Sequence, residues 1–77
     1  MMIEANVFVE NARTPDVINA ASLILAMMDL SDDTIVEIGS KAGGVEMVVK
    51  FDKTLDYELF LYDLEDIMGT SVTTFMY

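Results

Sequence analysis

Residues 34–51, TIVEIGSKAGGVEMVVKF, decide the fold. The stretch opens on β-branched residues at 34–38, passes through a glycine-rich segment at 39–44 and closes on strict alternation at 45–51. Val45, Met47, Val49 and Phe51 fall on one face of that alternation, and Glu46, Val48 and Lys50 on the other. Strand side chains alternate with a period of two, so 45–51 is a half-buried strand. The turn before it folds it back on 34–38 as an antiparallel hairpin.

On either side of the hairpin stands a strand and a helix. Upstream, 2–10 alternates again, with Ile3, Ala5, Val7 and Val9 on one face and Glu4, Asn6, Phe8 and Glu10 on the other. Thr14-Pro15-Asp16 then reads as a helix start: a hydroxyl N-cap, a proline whose missing N–H costs nothing at the first helical position, and an acid in the first turn. The spacing predicts a helix over 15–30, broken by Ser31-Asp32-Asp33. Downstream, Asp52-Lys53-Thr54 supplies a second cap. Tyr57, Phe60, Leu61, Leu64, Ile67 and Met68 then recur at the spacing of one helical face, which predicts a helix over 55–68. Gly69 suits the left-handed residue that ends helices, and 72–77 is a last strand.

Strand, helix, hairpin, helix, strand makes two split β-α-β units. Right-handed crossovers put both helices on one face of a four-stranded sheet of order 4-1-3-2, with Ile3, Val7, Val9, Val45, Met47, Val49, Phe60, Leu64 and Ile67 turned towards the helices. The layout is α+β and resembles the ferredoxin-like superfold as used by ACT regulatory domains, RNA-recognition modules and small phage proteins. No linker or repeat interrupts it, so 1–77 is read as a single domain, the ceiling for a chain this short.

Composition narrows the chemistry. The chain is 53% hydrophobic, and 14 acidic residues stand against Arg13, Lys41, Lys50 and Lys53, for a net charge of −10 carried on a folded surface. No basic patch is available to neutralise phosphates, so direct nucleic-acid binding is not expected, whereas a basic protein partner would be attracted. Histidine and cysteine are absent, which removes the usual general base, the strongest nucleophile and the soft metal ligands, so neither catalysis nor a cofactor is expected. Asp32-Asp33 and the Asp63/Glu65/Asp66 group lack the alternating ligands and mid-loop glycine of a calcium loop, and read instead as a solvated loop and helix face. Residues 39–44 join two strands, unlike phosphate cradles, which lead into a helix. Phe8 sits where an RNA-recognition module places a stacking aromatic, but its neighbours on the next strand are Glu46, Val48 and Lys50. The longest apolar run, 23–28, is too short for a membrane span, and the N-terminus lacks the order of a signal peptide, so a cytoplasmic protein is expected.

Three surfaces break the ordinary pattern. Opposite its core face, the second helix carries Leu55, Leu59, Tyr62 and Asp66, flanked by Glu58 and Glu65 on one side and Asp56 and Asp63 on the other. An apolar strip between acidic rails is how docking sites commonly look, although scattered surface hydrophobicity is also normal. Asp63, Glu65 and Asp66 moreover occupy the last turns, where the helix dipole disfavours negative charge, unless Lys50 or Lys53 lies near enough to compensate. The first helix is polar only along Asn19, Ser22 and Asp29, leaving Leu23, Met27 and Leu30 as an apolar flank for the second helix or a partner. The open sheet face is expected to hold Phe8, Ile35 and Val48, with either Phe75 and Tyr77 or Val72 and Met76 according to the register of the last strand. Homodimerisation through that face or through the first helix is weighed beside partner binding.

Small size, acidity, lack of catalytic residues and apolar strips edged with carboxylates resemble the small phage-encoded inhibitors, anti-CRISPR proteins among them. That resemblance implies a nucleic-acid mimic that blocks a basic surface on a host protein, with Leu55, Leu59 and Tyr62 as the apolar contact. The alternative is an ACT-like regulatory or oligomerisation domain that holds a small ligand between subunits. Such domains usually carry a glycine near the first strand-helix junction, and here that junction reads Asn11-Ala12-Arg13-Thr14-Pro15.

Overall fold

A computed structural model describes residues 2–76. The alternating segments become strands β1 (Ile3–Glu10), β2 (Ile35–Lys41), β3 (Gly44–Phe51) and β4 (Val72–Met76), and the periodic ones helices α1 (Thr14–Met27) and α2 (Thr54–Met68). All strand pairs are antiparallel, in the order β2-β3-β1-β4. This is the ferredoxin-like layout, with β1 and β3 central as the crossover rule requires. One face of the sheet supplies Ile3, Ala5, Val7, Val9, Val45, Met47, Val49 and Phe51 to the core. The helices close it with Val17, Ala20, Ala21, Ile24, Leu25, Tyr57, Phe60 and Leu64. No helix is long and apolar enough to cross a membrane.

The ends of the elements differ from the sequence expectation for local reasons. Arg13, not Thr14, is the N-cap of α1, and Thr14 Oγ1 instead shares a 2.9 Å hydrogen bond with Ser40 Oγ on β2. Lys53 caps α2 without a side-chain hydrogen bond. Helix α1 stops at Met27 because Asp29 turns left-handed, with φ 59°. The Asp29 N–H donates to the Ala26 carbonyl at 3.1 Å and the Leu30 N–H to the Leu25 carbonyl at 2.8 Å, a Schellman closure made without glycine. Ser31 then accepts from the Asp33 N–H and starts a short 3-10 turn over Asp32–Thr34. Gly69, at φ 66°, ends α2 and donates to the Glu65 carbonyl.

The hairpin is tighter than the glycine-rich stretch suggested. Lys41 pairs with Gly44, so Gly39, Ser40 and Lys41 belong to β2 and only Ala42 and Gly43 turn. A bulge between Ile35 and Glu37 changes the phase of β2: Ile35 lies opposite buried Val49, on the helix side, while Glu37 lies opposite Val48 on the open side. Ile35 therefore packs on the core and is not part of the open face. The register of β4 sets Phe75 beside Asn6 on that open face. Tyr77 lies outside the described residues.

Ile67 is the one member of the expected core that the fold leaves out, at 46% exposure. Leu61 and Met68 are half-buried against the core. Tyr57 is buried and its ring tilts against Phe51 at 5.8 Å, yet its hydroxyl has no hydrogen-bond partner among the described residues. An unpaired buried hydroxyl costs about 1–3 kcal/mol, so Tyr57→Phe is expected to hold or raise the melting temperature. A clear fall in a thermal melt would mean that the hydroxyl has a bonding partner in solution.

Candidate functional site

Helix α2 presents the expected strip to solvent. Leu55 is 65% exposed, Leu59 45% and Tyr62 72%, while Tyr57, Phe60 and Leu64 on the other side are buried. Helical geometry fixes this division, since residues three and four apart stack on one face. Glu58, Glu65 and Asp66 are exposed and Asp56 and Asp63 half-buried, so both rails reach solvent beside the strip. Tyr62, Glu65 and Asp66 line one shallow hollow at its C-terminal end.

Among the described residues none of these carboxylates has a cation. Among the described residues the ion pairs are Lys41 Nζ to Glu46 Oε2 at 2.7 Å and Lys50 Nζ to Glu4 Oε1 at 3.4 Å, both between strands. Lys50 is thus engaged on the sheet and does not offset the acidic end of α2. The last turn of α2 contains no basic residue, and the N-caps of the two helices are Arg13 and Lys53. Arg13 and Lys53 at the positive ends, and Glu65 and Asp66 at the negative end of α2, oppose the dipoles at a few tenths to ~1 kcal/mol each, while Asp16 and Asp56 in the first turns accord with them. Neither helix contains a lysine or arginine, whereas together they hold Asp16, Asp56, Glu58, Asp63, Glu65 and Asp66. No three acidic side chains among the described residues gather closely enough to hold a metal ion.

The rest of the exposed apolar surface is divided between the layers. On α1, Ile18, Leu23 and Met27 are exposed, while Leu30 is half-buried against the core, so the flank of this helix is only partly used. Leu23 shares a furrow with Ile67 of α2, a juxtaposition the sequence reading missed because it assigned Ile67 to the core. On the open sheet face Phe8 and Val48 are half-buried and Phe75 exposed, with the Glu4–Lys50 and Lys41–Glu46 pairs around them. The two surfaces therefore differ in charge: the sheet face carries two ion pairs beside Glu10 and Glu37, whereas the helices carry only acids.

No family model, curated protein or solved structure matches this chain.

Proposed function

We propose that this chain is a non-catalytic, cytoplasmic binding module that docks through α2 on a basic surface of a protein partner. The observation that carries the reading is the strip of Leu55, Leu59 and Tyr62, exposed between five carboxylates that have no cation among the described residues. Apolar side chains at the centre of such a face supply the contact that holds a complex, and charges at its rim steer the encounter. A phage-encoded inhibitor of the anti-CRISPR kind would use the face to occupy a groove that otherwise takes nucleic acid, the carboxylates standing in for phosphates.

The test begins with affinity purification from a host lysate at low and high salt, which should retain a basic nucleic-acid-binding protein at low salt. Binding to the purified partner then separates the two contributions. Replacing Asp56, Glu58, Asp63 and Glu65 with their amides should slow association and flatten its dependence on salt. Leu59→Ala or Tyr62→Ala should instead speed dissociation by roughly tenfold or more. If both sets of variants bind like the parent, α2 is not the interface, and the open sheet around Phe8 and Val48 is the next surface to mutate.

A second reading, an ACT-like domain with a ligand between subunits, draws support from Asn11. At φ 53° it takes, at the first strand-helix junction, the left-handed conformation that glycine adopts most easily and asparagine next. Native mass spectrometry that finds a dimer with a bound metabolite would favour this reading over the inhibitor.

A further inference from the structure

The furrow between α1 and α2 is a concave, largely apolar surface beside acidic residues that have no cation among the described residues. Its floor and walls are Ala20 and Leu23 from α1 with Ile67 and Met68 from α2, and Asp16 stands at its rim. Residues from the first half of α1 thus meet the C-terminal end of α2, so the helices run antiparallel. Beyond this lining, Met27 follows Leu23 by one turn of α1 and Leu59 precedes Ile67 by about two turns of α2. Leu23 and Met27 are more than half exposed. Asp63, one turn before Ile67 on α2, is half-buried and has no cation among the described residues.

Resting on the docking function above and extending it to α1, we propose that this furrow seats a basic amphipathic helix of the protein partner. The occupant follows from complementarity. A furrow bounded by two antiparallel helices has the shape that receives a third helix, with apolar anchors at i, i+3, i+4 and i+7. On α1 the lining of the furrow runs from Asp16 to Leu23, about 10–12 Å of helix, which matches the roughly two turns over which anchors at i, i+3, i+4 and i+7 repeat. Every charge on both walls is negative, so the polar flanks of the segment must be lysine or arginine. A second copy of this chain is a poor occupant, because its own exposed helix faces carry the same sign. Ala20, small and buried at the contact, keeps the furrow open where a larger side chain would fill it.

The test uses a synthetic 14-residue peptide with leucine at i, i+3, i+4 and i+7 spacing and lysine elsewhere, beside a scrambled peptide of the same composition. Amide shift changes on labelled protein are expected on both walls of the furrow, and fluorescence anisotropy should show the scrambled peptide binding at least tenfold more weakly. Leu23→Ser and Ile67→Ser, both at exposed positions and checked for folding by thermal melt, should each weaken the ordered peptide about tenfold. Equal affinity for the two peptides, or unchanged affinity in both variants, would overturn the furrow. If instead Leu55→Ser and Tyr62→Ser weaken binding while Leu23→Ser and Ile67→Ser do not, the furrow fails and the α2 face stands. If the peptide shifts neither helix, both fail.

Discussion

Leu64→Ala is expected to lower the unfolding free energy by about 2–5 kcal/mol, whereas Leu59→Ala, five residues earlier on the same helix, should cost under about 1 kcal/mol. Leu64 has no exposed surface and sits in the core with Phe60 and Met47, so truncation removes buried methyl groups and leaves a cavity that rigid neighbours cannot close. Leu59 is nearly half exposed, and shortening it gives up little buried area and leaves no enclosed cavity. For a chain of 77 residues the total stability is of order 4–12 kcal/mol, so the core variant consumes a large share of it. A loss of that size should lower the melting temperature by roughly 10–30 °C. Chemical denaturation of both variants measures the difference directly. Comparable losses would mean that the outward position of Leu59 is wrong, and with it the docking face on α2.

Much of that helix could be read before its structure. Tyr57, Phe60 and Leu64 repeat at helical spacing, and burial follows the repeat. Ile67 continues the same spacing and is nevertheless exposed, because what covers a helical position depends on the element beside it. Opposite Ile67, α1 presents small Ala20 and outward Leu23. Periodicity within one segment contains no information about the width of a neighbour. The site on α2 was legible for the complementary reason: a residue pointing away from the core is defined by its own helix alone. The furrow needs two helices and was not legible.

Single-residue events were hidden in the same way. The bulge in β2 adds one residue and reverses which face Ile35 occupies, but a bulge has no composition of its own in TIVEI. The end of α1 depends on Asp29 adopting a conformation more usual for glycine. The polar cluster Ser31-Asp32-Asp33 looked like the stronger break, and it serves instead to start the 3-10 turn. The sheet order survived these local errors because it rests on the sequence of whole elements and on crossover handedness.

Gly44→Ala is expected to destabilise the fold by the upper end of the roughly 1–3 kcal/mol that overpacking costs, although the glycine lies in a regular strand. The adjacent pair Gly43-Gly44 looks like a turn made flexible twice over, but the two residues do different things. Gly43 turns the hairpin at φ 87°, which a β-carbon strains without meeting any atom closer than the tip of Phe8 at 4.0 Å. Gly44 lies outside the left-handed region, across from the Val9 carbonyl of the central strand β1. A β-carbon there would collide with that carbonyl oxygen and come within 3.1 Å of the Phe8 ring. Backbone cannot rotate aside as a side chain can, so β1 and β3 must separate at the last rung of their ladder, where Gly44 pairs with Glu10. Gly39 supplies the control: it also lies in a strand, nothing stands within 4 Å of its β-carbon, and alanine there should be close to neutral. Thermal melts of the three alanine variants should rank Gly44 as the most damaging, Gly43 intermediate at about 1 kcal/mol and Gly39 least. If Gly44→Ala melts like the parent, the close approach of β1 to β3 at this point does not exist in solution.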